Sequence, residues 1–195
     1  MKMVGYKLRI YVVAVAQIYV LLGCGSIPMD QASSRHSDST AVLITPVQHM
    51  GKRYSVEDVY VNGQIGGGAG QLGGGGSMSC CILLPGSWRP GLVAEVRWSV
   101  LDWDKEDEAE TRQGVFTSIT KVGQYVAHVP VEYYKRPETL YVHFYPNGKA
   151  RLVSSFYDAF DSRHPVPFDA EDGGLATAGK IVSHKKAKPG LAEDE

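Results

Sequence analysis

Short apolar runs separated by turn residues make up most of the chain after its first forty residues. Over residues 92–100, apolar residues such as Val96 and Trp98 alternate with charged residues such as Glu95 and Arg97. This two-residue period is typical of a half-buried strand. Shorter runs bounded by Gly, Pro, Asn or Asp predict further strands at 41–47, 56–61, 78–84, 114–122, 125–131, 140–145 and 149–154.

The turn residues favour antiparallel connections between these strands. Asn62-Gly63 ends one strand, and Pro146-Asn147-Gly148 joins two others as a hairpin, because Asn-Gly tolerates the positive φ that a tight turn requires. After the leader, no segment keeps a 3.6-residue period over three turns. The fold is therefore predicted to be mainly β, an antiparallel sandwich or an open barrel-like sheet with little helix.

The first 23 residues have the layout of an export signal. Lys2, Lys7 and Arg9 precede an apolar stretch of 13 residues at 10–22, which only Gln17 interrupts. A spanning helix needs roughly 20 apolar residues, so this stretch is too short for a comfortable span. Because Leu21-Leu22-Gly23-Cys24 ends the stretch, the pattern indicates a lipoprotein signal, and the alternative is an ordinary signal or a short anchor with a chance cysteine.

Lipid on Cys24 would tether the mature chain, since two or more acyl chains such as palmitate hold a protein stably at a membrane. Gly25 stands where an aspartate commonly retains such proteins at the inner membrane, so outer-membrane attachment facing the periplasm is expected. The polar residues after Cys24 predict a linker at 24–40. A single domain is predicted at 41–172 and a disordered tail at 173–195.

Composition excludes some classes of function. Removal of 23 residues leaves 172, enough for one domain with a core. The leader holds three of the 20 basic residues and none of the 21 acidic ones, so the mature net charge is about −4. No basic stripe lies outside the short tail around Lys185, so nucleic-acid binding is not expected.

Cys80 and Cys81 are the two cysteines that remain once Cys24 carries lipid. In a strand their side chains would point to opposite faces as small apolar fillers. A disulfide between them would instead break the strand locally. Both structural interpretations stay open, and both are favoured over redox catalysis because the chain has no CxxC spacing.

No enzyme signature remains after its context is considered. Gly68, Gly70 and Gly73 form a literal GxGxxG, but a predicted strand follows instead of the helix that would bind a phosphate. Ser118 and Lys121 match SxxK on a predicted strand, where they would face opposite ways. Four of the six histidines, His49, His128, His143 and His164, are scattered through the predicted domain. We therefore expect no catalytic site, no metal and no cofactor.

One acidic run surrounds Trp103, and it lacks the glycine and the final glutamate of a calcium loop. The simplest interpretation is a solvated hairpin loop. The functional interpretation is a partner-binding loop, in which Trp103 anchors the partner and carboxylates steer a basic surface. Its candidate residues are Asp102, Trp103, Asp104, Glu106, Asp107 and Glu108.

The block 73–91 reads GGGGSMSCCILLPGSWRPG and leads into the strand that ends at Trp98. It resembles a family of bacterial lipoproteins of unknown function marked by glycines, a Cys-Cys pair and Leu-Pro-x-x-Trp-Arg-Pro-Gly. The resemblance extends over residues 42–168 and includes the 140–155 hairpin and His164-Pro165. Within the motif (Trp88, Arg89, Pro90, Gly91, with Trp98 beyond), the tryptophans are expected in the core, the prolines in turns and Arg89 paired with a carboxylate or carbonyls.

Members of that family are often encoded beside type VI secretion phospholipase effectors and look like their immunity proteins. The resemblance therefore implies a periplasmic protein that binds a toxic lipase and neutralises it. Two other functions stay open: a structural or assembly lipoprotein of the envelope, and a thiol-redox or metal-binding protein that acts through Cys80 and Cys81.

Overall fold

The structure, a computed structural model, describes residues 38–171 and 174–183. The signal, Cys24 and nearly all of the predicted linker lie outside these residues. Ten strands and one short helix form the described part, and none of its helices is long and apolar enough to cross a membrane. The elements are β1 (Ser39–Gln48), β2 (Tyr54–Val61), β3 (Gln64–Ala69), β4 (Ser79–Pro85), β5 (Val93–Asp102), α1 (Glu108–Arg112), β6 (Thr120–Pro130), β7 (Thr139–Tyr145), β8 (Lys149–Ser155), β9 (Thr177–Ala178) and β10 (Lys180–Ser183).

The strands form two five-stranded sheets. Sheet A has the order β4-β1-β7-β8-β9, and sheet B has the order β10-β6-β5-β2-β3. Every pairing is antiparallel except that of β1 with β7, which is parallel. The predicted mainly β fold is confirmed, and of its two forms the structure has the sandwich.

The main core fills the space between the sheets. In β5, Ala94, Val96, Trp98 and Val100 are buried, as the alternating pattern predicted. Trp98 is 1% exposed and packs between rings of the two sheets. Its ring centroid is 5.4 Å from that of Tyr125 and 5.2 Å from that of Phe144.

A second, smaller core lies on the outer face of sheet A. In β7 the even positions Leu140, Val142 and Phe144 belong to the main core, whereas Tyr141 and Tyr145 pack outward. Residues 156–170, which we call the cover segment, supply Ala159 and Val166 to this second core. β7 is therefore buried on both faces, which explains why its sequence is apolar apart from Thr139 and His143.

Two turns hold Asn-Gly pairs with positive φ at both residues. Asn147 and Gly148 have φ of 63° each between β7 and β8, and Asn62 and Gly63 have 49° and 78° between β2 and β3. The predicted hairpin is confirmed. The strand predicted at 114–122 is wrong over its first half, because turns follow α1 and β6 begins only at Thr120.

The predicted disordered tail needs correction over its described part. β9 pairs with β8, and β10 pairs with β6, so residues 177–183 extend both sheets. These short strands satisfy backbone groups that two sheet edges would otherwise leave unpaired. At the other end, β1 begins at Ser39, two residues before the predicted domain boundary.

Candidate functional site

The glycine-rich segment after β3 packs closely against its neighbours. Gly73 has a φ of 98°, and a Cβ placed on it would collide with the Phe168 ring. On Gly74, a Cβ would stand 2.8 Å from the carbonyl oxygen of Pro46. The glycines therefore let this backbone approach sheet A and the cover segment closely.

Gln48, at the end of β1, holds the surrounding loops together. Its side chain is buried, and its Nε2 lies 3.1–3.3 Å from four carbonyl oxygens. Its Oε1 accepts a hydrogen bond of 2.6 Å from the backbone N–H of Met50. One amide thus connects the loop after β1 to the glycine-rich segment, through the carbonyls of Gly51, Tyr54, Gly70 and Gln71.

Two surface clefts lie on either side of Gln71. The first, which we call the histidine cleft, has a volume of about 280 Å³. The second, the tryptophan cleft, has a volume of about 310 Å³ and also includes Gln71 in its wall. Because Gln71 lines both, the clefts adjoin each other, and together we call them the cleft face. The histidine cleft is bordered by His49, Lys52, Leu72, Phe168 and Asp169 among others, and the tryptophan cleft by Ser55, Glu57, Gly68 and Trp103 among others.

Trp103 is half-buried at the edge of the tryptophan cleft. Its indole N–H donates a 2.8 Å hydrogen bond to Oγ of Ser55. Phe116 meets it edge-on at a centroid distance of 6.3 Å and is itself 54% exposed. The structure therefore fixes Trp103 from two sides beside an exposed aromatic ring.

The carboxylates of this loop that were predicted to bind a partner have different roles in the fold. Asp102 accepts two hydrogen bonds from Arg53, which lowers the pKa of its carboxyl group. Asp107 caps α1, and Glu108 pairs with Arg112 in the same helix. These three are used locally in the fold.

Asp104 and Glu106 remain available to a partner. Asp104 is exposed, and its carboxylate lies 3.6 Å from Arg53. The carboxylate of Glu106 is exposed and forms no hydrogen bond or ion pair with any described residue. Of the six residues predicted to bind a partner, Trp103, Asp104 and Glu106 therefore present the groups that could contact one.

Three histidines that are scattered in the sequence form a hydrogen-bonded chain. Nε2 of His49 lies 2.9 Å from Nδ1 of His143, and Nε2 of His143 lies 3.1 Å from Nε2 of His164. Carbonyl oxygens end the chain, those of Phe168 at Nδ1 of His49 (3.1 Å) and of Tyr157 at Nδ1 of His164 (2.8 Å). His128 does not take part and lies exposed near Glu95.

The chain runs from the surface into the second core. His49 borders the histidine cleft, while His143 and His164 are buried. Burial lowers the pKa of His49 and of His164, and it lowers that of His143 well below the usual value. Because His143 uses its two nitrogens toward different rings, the three do not converge on one point. Among the described residues no group of three or more ligands could hold a metal ion.

The sequence offered one signal for this chain. His143 lies within the apolar strand 140–145, and a polar ring at a position buried on both sides needs hydrogen-bond partners. The identity of those partners was not visible, since His49 and His164 are 94 and 21 residues away.

Cys80 and Cys81 form a disulfide in β4, at the edge of sheet A. The expectation that such a bond would break the strand is wrong, because β4 continues from Ser79 to Pro85. The pairing of β4 with β1 accommodates the two bonded cysteines through a register shift between Val42 and Ile44. Cys80 is exposed and Cys81 is half-buried.

The tryptophans and prolines of the motif have structural roles. Trp98 lies in the core, and Trp88 packs at its edge and donates a 2.8 Å hydrogen bond to the carbonyl of Val131. Pro90 and Gly91 form the turn before β5, with a φ of 80° at Gly91. Arg89 is exposed, and the expected pairing is wrong: its guanidinium contacts no carboxylate or carbonyl of the described residues.

A family model described as a protein of unknown function, DUF3304, matches residues 49–152, more than half of the chain. The matched stretch begins at His49 and ends in β8, so it contains the Cys80–Trp98 block but not the cover segment. No curated protein and no solved structure matches the chain.

Proposed function

Because the chain belongs to the DUF3304 family of proteins of unknown function, we propose from its own residues that it is a binding protein of the cell envelope. It acts by binding another protein and has no reaction of its own. Lipid on Cys24 holds it at the membrane, on the outer membrane facing the periplasm. This anchor is inferred from the leader at 1–23.

The cleft face is the observation that carries this proposal. It includes Trp103, and the exposed ring of Phe116 packs edge-on against Trp103 beside it. The carboxylates of Asp104 and Glu106 follow Trp103 closely in the chain. Aromatic anchors supply much of the affinity at protein interfaces, and surrounding charges guide association with an oppositely charged surface. The face therefore suits a partner with a basic, partly apolar surface.

The partner is a phospholipase effector of type VI secretion, and the protein is its immunity protein. The resemblance of the Cys80–Gly91 block to lipoproteins encoded beside such effectors supports this identification. A tethered inhibitor would also be concentrated at the membrane where an incoming lipase acts.

We expect a phospholipase gene next to the gene of this protein, and the test mixes that lipase with the mature chain without lipid, residues 25–195. We expect a stable complex on gel filtration and loss of lipase activity at equimolar protein. Complex formation without inhibition would argue for an envelope assembly role instead. Absence of both a complex and inhibition would remove the immunity function.

The disulfide supports a second candidate function, thiol-disulfide exchange. Cys80 is exposed on an edge strand, so a thiolate in solution could reach its sulfur. Reduction of the bond by a periplasmic thiol oxidoreductase, followed by transfer of the electrons to a client disulfide, would identify this activity. If the double variant Cys80→Ser, Cys81→Ser keeps its full function, thiol-disulfide exchange is excluded.

A further inference from the structure

The histidine chain connects two parts of the fold. His49 and His143 belong to sheet A or the loop directly after β1, whereas His164 and both terminal carbonyls belong to the cover segment. Two of the four contacts therefore cross from the sheet to the segment, one at Phe168 and one at His164. These two contacts hold the segment on sheet A together with the packing of Ala159 and Val166.

The number of hydrogens in the chain is limited by its ends. A carbonyl oxygen can only accept, so Nδ1 of His49 and Nδ1 of His164 must both donate. If these rings are neutral, their Nε2 atoms carry lone pairs. A neutral His143 has one hydrogen for its two ring contacts, and we assign it to Nδ1, toward Nε2 of His49, because this contact is the shorter one, 2.9 Å against 3.1 Å. These assignments use the three hydrogens that three neutral imidazoles carry.

The fourth contact has no hydrogen in this neutral state. Nε2 of His143 and Nε2 of His164 lie 3.1 Å apart, and both present lone pairs. One added proton completes this hydrogen bond and all four contacts at once. A fifth hydrogen has no place, because it would set two N–H groups against each other.

We propose that His49, His143 and His164 form a proton-binding site that accepts a single proton, between Nε2 of His143 and Nε2 of His164, and releases the cover segment when a second proton arrives. The segment is in this way an acid-sensitive latch on the outer face of sheet A. The proposal needs no partner and is independent of the immunity function.

The groups around the chain place the accepted proton toward the cover segment. Arg151 of β8 opposes protonation of all three rings, although both oxygens of Glu132 bind its guanidinium. The carboxylates of Asp158 and Asp161 favour a cation at His164, and that of Asp169 favours one at His49. Two tyrosine rings complete the surroundings, Tyr141 against His164 and Tyr145 stacked on His49.

Acid opens this latch because the two states bind different numbers of protons. In the closed state burial lowers the proton affinity of the rings, and the chain accommodates one proton at most. In the open state the three rings are solvated and bind three protons near their ordinary pKa of about 6.5. Opening therefore takes up at least two protons and is cooperative in pH. Phe168 and Asp169 of the histidine cleft would move with the segment.

The test is an NMR titration of the imidazole nitrogens in the mature chain, from about pH 8 to about pH 5. We expect the three rings to change together, in a transition that takes up two or more protons. The amides of the cover segment should lose exchange protection at the same pH. His128, whose side chain is 75% exposed, is the internal control because it takes no part in the chain.

Two variants sharpen this test. His164→Asn removes the shared site, so the cooperative transition should vanish, while His128→Asn should leave it unchanged. Three independent one-proton titrations would overturn the proposal, because it allows only one proton to bind before the segment opens. A cover segment that stays protected down to about pH 5, or a cooperative transition that survives in His164→Asn, would also overturn it.

Discussion

The ring of Phe168 occupies the space in which a side chain at Gly73 would lie. This contact joins the glycine-rich segment to the cover segment, and both border the histidine cleft. The absence of a side chain at Gly73 thus allows the close packing that forms one wall of the histidine cleft.

Gly73→Ala should destabilise the protein by about 2–3 kcal/mol, because the new methyl group meets the Phe168 ring at a φ that alanine rarely adopts. Urea unfolding measures the change. Gly51→Ala has a similar φ of 79° but open space, so it should cost only about 1 kcal/mol. Gly70→Ala, without positive φ or close neighbours, should be nearly neutral. Equal losses in all three variants would contradict the packing role of Gly73.

Gln48→Ala should lower the free energy of unfolding by about 2–4 kcal/mol. The substitution leaves carbonyls of two loops without their shared donor and opens a buried space. Gln64→Ala, at an exposed position of β3, is the matched control and should change stability by less than about 0.5 kcal/mol. A loss below about 1 kcal/mol for Gln48→Ala would mean that these loops hold together without it.

Stability should decrease as the pH falls below about 6.5, the ordinary histidine pKa. Burial lowers the pKa of His49, His143 and His164, so the unfolded chain binds more protons than the folded one in this range. Each additional proton that the unfolded chain binds lowers the free energy of unfolding by about 1.4 kcal/mol per pH unit. Because His49 is partly solvated, we expect a total slope of about 1–3 kcal/mol per pH unit. Urea unfolding at several pH values gives the slope. His128→Asn should leave it unchanged, and a flat profile between about pH 5 and 7 would refute this assignment.

Phe116→Ala should weaken binding of the effector at least about 10-fold, and Trp103→Ala about 30-fold, if these rings anchor the partner. Phe156→Ala removes a ring that is 74% exposed and borders neither cleft, and it should change the affinity less than twofold. Calorimetry provides the constants, and circular dichroism checks that each variant is folded. If Phe116→Ala and Phe156→Ala lose similar amounts of affinity, the interface does not lie at Phe116.

Glu106→Gln should slow association with the effector but change dissociation little, because an exposed rim charge acts mainly on encounter. The difference from the unsubstituted protein should shrink as salt rises, since the Debye length falls to about 3 Å at 1 M. Glu108→Gln is the matched control, because its carboxylate is paired with Arg112. Stopped-flow association rates distinguish the two, and an unchanged rate in Glu106→Gln would exclude steering by this group.

The sequence predicted features that depend on neighbours in the chain. The alternation around Trp98 gave a strand and its buried face, and Asn147-Gly148 gave a hairpin. The histidine chain depends instead on distant residues. His143 comes close to His49 only when β1 and β7 pair in parallel, with Val47 opposite His143.

The ends of the domain were missed for a similar reason. Lys180–Ser183 is too short to be recognised as a strand, and it becomes one because the edge of β6 is available to it. The acidic run around Trp103 forms the predicted loop only up to Asp107, because α1 begins at Glu108. Arg53 binds Asp102, and α1 is capped by Asp107. The charge pattern of the sequence alone does not show which carboxylates have such partners.

Hydrogen exchange measured on the mature protein, with and without the neighbouring lipase effector, tests the binding function most directly. We expect complex formation to protect residues 70–73 and Trp103 of the cleft face and the adjoining residues 104–116, while the edge strands β9 and β10 exchange as before. No complex, or protection confined to β9 and β10, would contradict a function that depends on this face.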